Sequence, residues 1–186
     1  MKNIYIVGKA GSGKSTVATF LVEKYGYQVA KFAYPVYNLA YNYFDMKGKD
    51  RRLLQVLGTD IGRGQIDNNL WVTRFLQDML MVEGTRKKLN LPTRFFILDD
   101  CRFINEHKLL KDMGWCGIYL DVPEDIRIQR LTGRDVNACV ECLNHTSEVS
   151  VDVFKDDLIK VNANCSVEEM NLNVVSILEV FNVKEI

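Results

Sequence analysis

The chain has 186 residues, 47% of them apolar and 26% charged, and its 24 basic side chains balance 24 acidic ones. That composition suits one globular domain large enough to bury a core, and zero net charge argues against a general nucleic-acid binder. No apolar run approaches the ~20 residues of a membrane span, and five cysteines, an odd number, without an export signal point to a reducing, cytoplasmic setting.

Ile4 to Val7 reads as a short buried strand. It runs into Gly8-Lys-Ala-Gly-Ser-Gly-Lys14-Ser15, which fits the phosphate-loop pattern G-x-x-x-x-G-K-S/T without a mismatch. Val17, Phe20, Leu21 and Tyr25 follow at helical spacing, so the motif lies where a strand turns into a helix. The loop from Gly8 through Ala10, Gly11, Ser12 and Gly13 to Lys14, Ser15 and Thr16 is therefore expected to bind a nucleoside triphosphate. Its glycines let consecutive N–H groups curl towards phosphate oxygens, and the helix N-terminus adds its positive end. Lys14 can reach the β- and γ-phosphates, and the Ser15 hydroxyl can ligate Mg²⁺.

Further along, Gln28 to Phe32 reads as a second strand ending at Ala33-Tyr34-Pro35. A largely helical stretch follows, with Leu53, Leu54 and Leu57 as one patch closed by Gly58. Trp71, Phe75, Met79 and Val82 mark an amphipathic helix. Thr93 to Leu98 is an apolar strand ending in Asp99-Asp100, and Phe103 to Met113 a helix. Ile118 to Leu120 is another buried strand, and Pro123 before Glu124 and Asp125 signals a helix start. Residues 132–150 read as polar and irregular. Leu158 to Val161 is a last strand, and Ser166 with Glu169 forms a capping box for a final helix. Val167, Met170, Val174, Leu178 and Phe181 line the buried face of that helix. Strands alternating with helices predict an α/β phosphate-loop fold: a parallel sheet of about five strands with helices on both faces. Ligands then bind beyond the carboxyl ends of strands, where the phosphate loop, Asp99-Asp100 and Asn162-Ala163-Asn164 fall.

Phe95 to Asp100 is similar to a Walker B strand, whose carboxylate can complete the Mg²⁺ shell opposite Ser15. Because side chains alternate along a strand, one of the two aspartates faces the metal. Arg102 lies two residues on, and Arg127, Arg130 and Arg134 share a helix face that runs into the polar segment. Guanidinium groups suit the charge that phosphoryl transfer spreads over oxygens, although a solvated face paired with Glu124 and Asp125 would read the same. Cys139-x-x-Cys142-x-x-His145 has metal-ligand spacing but no local fourth ligand, so unliganded thiols are the preferred reading. Asp45-Met-Lys-Gly48 matches D-x-x-G away from any strand end, and no N-K-x-D motif occurs, which disfavours a regulatory GTPase. His107 and His145 are the only histidines, and no Ser-His-Asp arrangement suggests itself.

Taken together, several collinear segments resemble the deoxynucleoside monophosphate kinases of bacteriophages, in the adenylate-kinase-like branch of phosphate-loop kinases. They are Gly8–Thr16, Phe32-Ala33-x-Pro35, Leu57-Gly58-Thr59-Asp60 with Arg63, Trp71, Asp100-x-Arg102-Phe103-x-Asn105-Glu106, Arg127-x-x-Arg130, Ser147-Glu148, and Asp157 with Val161-Asn162. The Phe32-Ala33-Tyr34-Pro35 segment departs from the family's Asp before that proline.

The resemblance implies one kinase domain with a core of 1–35, 91–131 and 151–186, an acceptor-binding insertion of about 36–90 and a lid of about 132–150. It implies transfer of the γ-phosphoryl group of ATP, with Mg²⁺, to a deoxynucleoside monophosphate in the cytoplasm of an infected host cell, by a chain that can form a homodimer. By the same resemblance Lys14 holds the transferred group, Ser15 and Asp100 hold Mg²⁺, and the Asp-x-Arg register selects Asp100 over Asp99. Arg102, Arg63 and Glu106 face the acceptor, Phe32 and Trp71 contact its base, Arg127, Arg130 and Arg134 close over the triphosphate, and Asn162 and Ala163 flank the adenine. For Phe32 and Trp71 plain core packing is the competing reading. Competing functions are another small-molecule kinase similar to dephospho-CoA kinase, and a nucleotide-dependent switch or ATPase.

Overall fold

The computed structural model describes residues 2–133 and 145–180. Arg134, Cys139, Cys142 and Phe181, all singled out in the sequence, lie outside the described residues.

The chain divides into two compact units, one of residues 1–30 with 95–186 and one of residues 31–94. The first is built on strands β1 (Ile4–Val7), β2 (Gln28–Ala30), β3 (Phe96–Leu98), β4 (Cys116–Asp121) and β5 (Ile159–Asn162). They form one parallel sheet in the order β2-β3-β1-β4-β5. β1 is central and buried along its whole length, which explains its unbroken apolar sequence. Alternation along the strand then separates two layers. Ile4 and Ile6, with Ile118 and Leu120 of β4, pack with Val17 and Leu21 of helix α1 (Lys14–Tyr25) and with Met170, Val174 and Leu178 of the last helix (Val167–Val180). Tyr5 points the opposite way and reaches His107 of the helix Ile104–Asp112, with its hydroxyl 3.0 Å from Nδ1. Helices thus cover both faces, as the alternating pattern predicts.

Two strands are shorter than expected. The second ends at Ala30, so Phe32 lies past it, and β3 begins at Phe96 rather than Thr93. The segment after the described gap is not irregular throughout: Thr146–Val149 is a helix, with Ser147 and Glu148 buried.

The second unit is helical: α2 (Tyr34–Tyr43), α3 (Arg51–Gln55) and α4 (Leu70–Lys88). Gly58 does not end a helix. Instead α3 passes into an eleven-residue π-helical run, Val56–Ile66. Val36, Ala40, Met46, Leu57 and Trp71 form the small core of this unit. With α5 (Ile104–Asp112) and α6 (Glu124–Thr132) in the first unit, the helices at Thr146–Val149 and Val167–Val180 are α7 and α8.

Candidate active site

The phosphate loop leaves the carboxyl end of β1. Gly11 has φ 83°, in the left-handed region, and a Cβ there would lie 2.5 Å from the Arg127 carbonyl oxygen. Only glycine lets the loop pass so close to α6. Lys14 opens α1, and its ammonium folds back to donate to the carbonyls of Gly8 at 2.6 Å and Lys9 at 3.0 Å. The cation is held over the loop, where a phosphate would meet it.

Ser15 follows on the first turn of α1, and its Oγ donates to Oδ2 of Asp99 at 2.9 Å. This corrects the expectation that Asp100 partners Ser15. β3 lies beside β1 in parallel, with Tyr5 level with Leu98, and the residue just past Leu98 is the one that meets α1. Asp99 is buried, whereas Asp100 is one of the carboxylates acting on Arg102. A serine hydroxyl and a carboxylate oxygen are hard donors that suit Mg²⁺, which fills its other positions with phosphate and water. Ser15 and Asp99 therefore fit the metal that a bound triphosphate would bring.

Arg102 enters α5, where its place is fixed by a cap. Glu106 accepts from the backbone N–H groups of Arg102 at 2.6 Å and Phe103 at 3.0 Å. Glu106 is 2% exposed, and one oxygen of its carboxylate takes both donors. Glu106, expected to face the acceptor, here caps the start of α5 and fixes the backbone of Arg102. The Arg102 guanidinium donates through Nη1 to Oε1 of Glu148 at 2.5 Å and reaches the Ser147 carbonyl at 3.4 Å. Burial alone would lower the pKa of Arg102, but Glu148, Asp100 and Glu106 raise it on balance.

Glu148 is 5% exposed, and its second oxygen accepts from the Ala10 N–H of the phosphate loop at 3.1 Å. Burial would raise its pKa, yet Arg102, Lys14 and the Ala10 N–H hold the carboxyl below its ordinary value. Sequence reading had Glu148 only as part of a matched motif and gave it no role. The signal was a lone acid in a polar stretch, with nothing to tie it to a loop far away in the chain.

Arg127 and Arg130 sit on α6. Arg127 Nη1 donates to the Ala10 carbonyl at 3.2 Å, and Arg130 Nη2 to the Ala163 carbonyl at 3.1 Å. These arginines are therefore anchored to the phosphate loop and to the turn after β5. In that turn, Ala163 is fully buried, its N–H donates to the Asp121 carbonyl at 2.9 Å, and Asn162 Oδ1 accepts from the Asn164 N–H at 2.9 Å. His145 caps α7: its Nδ1 lies 3.0 Å from Ser147 Oγ and accepts from the Ser147 N–H.

In the helical unit, Trp71 is a core residue. Its indole N–H donates to the Gly58 carbonyl at 2.6 Å, and it is 7% exposed. Phe32 is also buried, with its ring centroid 4.4 Å from that of Phe75. Both aromatics are packed within the helical unit. Arg63 is 8% exposed, and its Nη1 donates to the Asn68 carbonyl at 2.9 Å.

A family model described as an AAA domain matches residues 4–149. A protein of Acanthamoeba polyphaga mimivirus, named "Putative deoxynucleotide monophosphate kinase", is 25% identical over 207 aligned positions that cover 95% of each chain. Among solved structures, shikimate kinase from Acinetobacter baumannii superposes with TM-score 0.61 at 14% identity, covering 99% of this chain and 96% of its own. A sugar kinase from Janibacter sp. gives 0.58 at 15% identity, covering 97% and 95%. At such identities the two structures establish the fold: a five-stranded parallel phosphate-loop kinase architecture.

Proposed function

From the premise that this chain belongs to the AAA-domain family, we propose that it is a deoxynucleoside monophosphate kinase, which moves the γ-phosphoryl group of ATP to a 5′-monophosphate. The acceptor phosphate oxygen attacks the γ-phosphorus, the bond from that phosphorus to the β,γ-bridging oxygen breaks, and ADP leaves. The observation that carries the reading is Arg102, a guanidinium joined to the phosphate loop through Glu148 by Nη1 alone. Similarity to the mimivirus protein over nearly the whole of both chains supports the same choice of acceptor, and it widens the viral resemblance beyond bacteriophages.

The acceptor carries its own nucleophile. A phosphate monoester has a second pKa of about 6 and is mostly dianionic at neutral pH, so no general base is needed. The work of the chain is to hold two polyanions in line and neutralise them. Lys14 would leave its carbonyl partners for the transferred group, and the loop N–H groups would take the remaining oxygens. Ser15 and Asp99 would hold the Mg²⁺ that accompanies the triphosphate, and the ion would supply positive charge to offset that of the phosphates. Arg102 would take the acceptor phosphate, and Arg127 and Arg130 would steady the loop and the turn at Ala163.

A coupled ADP-release assay with Mg·ATP and each common deoxy- and ribonucleoside monophosphate tests this. Strong stimulation by one or a few deoxynucleotides is expected, with Lys14→Ala lowering turnover at least ~100-fold while thermal stability is kept. A slow rate that is flat across the panel would move the function to another acceptor or to a switch.

A further inference from the structure

We propose that Glu148 is a positioning residue: it braces the phosphate loop with one oxygen and aims Arg102 at the acceptor phosphate with the other. This rests on the kinase reading and adds a residue to it. Glu148 touches no substrate in this scheme and acts through Arg102 and Ala10.

Three side chains grip the outer side of the loop. The Ala10 peptide is held on both edges, its N–H by Glu148 at 3.1 Å and its carbonyl by Arg127 at 3.2 Å. One residue earlier, the Lys9 ammonium pairs with Asp152 at 2.6 Å. Of these contacts, Glu148 alone continues to a second phosphate-binding group. It engages only Nη1 of Arg102, and among the described residues Nε and Nη2 have no hydrogen-bond partner. One edge of the guanidinium fork is thus fixed and the other stays open to two phosphate oxygens, the arrangement that favours bidentate recognition.

Fold stability does not explain the pair. Burying two charges gains little over well-packed apolar side chains, whereas removing one partner strands the other. A buried carboxylate that joins the donor loop to the acceptor guanidinium is better explained by orientation. It also predicts linkage, since a group that fixes both elements lets occupancy of one stabilise the pose of the other.

The test compares wild type with Glu148→Gln, which has nearly the same shape. Its amide oxygen can still accept from Ala10, but its NH₂ group is turned towards Arg102. Binding of Mg·ATP and of dAMP, dGMP, dCMP and dTMP is measured by calorimetry, and ADP release is followed on the same samples. The expected result is a loss of about tenfold or more in monophosphate affinity, with Mg·ATP affinity weakened by no more than about threefold. A residue that merely supports the fold would lose both together. Equal loss of both affinities, an unchanged monophosphate affinity, or a wild type that binds no monophosphate overturns the proposal. A wild type that binds a monophosphate without faster ADP release rejects the kinase reading while leaving this proposal to be judged on the binding split. If Glu148→Gln does not fold, Glu148→Asp keeps the charge, withdraws it by one methylene, and must give the same split in smaller measure.

Discussion

At the scale of single residues, the neighbouring carboxylates Asp99 and Asp100 divide two tasks. Asp99 accepts from Ser15 Oγ at 2.9 Å, while Asp100 acts on Arg102. Asp99→Asn should keep the hydrogen bond and lose the charge that a metal needs. We expect it to lower turnover by about 100-fold or more and to raise the Mg²⁺ concentration for half-maximal rate, while Asp100→Asn costs at most about tenfold. A Mg²⁺ titration of both variants decides, and a larger loss with Asp100→Asn would return the metal to that residue. The sequence narrowed the choice to a pair because strand alternation lets one of two consecutive residues face α1. Which one depends on the register of β3 against β1, a long-range fact. Trp71 and Phe32 were undecidable for a related reason, since an aromatic looks the same in a sequence whether it meets a base or a neighbouring core residue.

At the scale of elements, the π-helical run from Val56 to Ile66 is the least expected piece. Its Gly58 looked like the close of a helical patch, but a glycine also permits close approach. Gly58 offers its carbonyl to the Trp71 indole, and a Cβ on Gly62 would lie 2.6 Å from the Trp71 ring and 2.9 Å from the Leu57 carbonyl oxygen. The glycine is needed for the partner it admits. Gly84, on the exposed part of α4, has nothing within 4 Å of an added Cβ. The same change should therefore have opposite signs at the two sites. Gly62→Ala should destabilise by about 1–3 kcal/mol through overpacking, and Gly84→Ala should stabilise by up to about 1 kcal/mol through helix propensity. Urea unfolding measures both, and equal effects would mean that backbone propensity, not the Trp71 contact, governs this run. The helix pattern itself was legible: α1, α4, α5, α6 and α8 all fall where apolar spacing and capping residues predicted. α7 was missed because four residues are too few to show a period.

At the scale of the whole molecule, acid sensitivity follows from groups buried in the sheet unit. His107 is 1% exposed and stacks on Phe154 with centroids 4.7 Å apart. Its Nδ1 meets the Tyr5 hydroxyl, and Nε2 lies 3.5 Å from Asp157. Burial pushes its pKa below the ordinary value despite the pull of Asp157, and Lys111 and Lys108 push it further. The native state then binds fewer protons than the unfolded chain. This contribution to stability is full above the unfolded pKa of about 6.5 and is lost as pH falls towards the lower folded value. Glu148, whose pKa is also lowered, adds a loss of the same sign further into acid. The melting temperature should therefore fall from pH 7 to pH 5, and His107→Gln should flatten that slope. An equal slope in the variant would remove His107 as the cause. No described helix is long and apolar enough to cross a membrane. By itself the sequence determined the α/β class and the phosphate loop, because a strand, a glycine-rich turn and a helix start are local patterns set by backbone sterics and periodicity. It also marked the residues that gather at strand ends. Tertiary structure alone decided that Asp99 meets Ser15, that Glu106 caps α5, and that Glu148 joins Ala10 to Arg102. Each of those pairings depends on which elements the parallel sheet brings side by side, and apolar spacing along a chain says nothing about its neighbours in space.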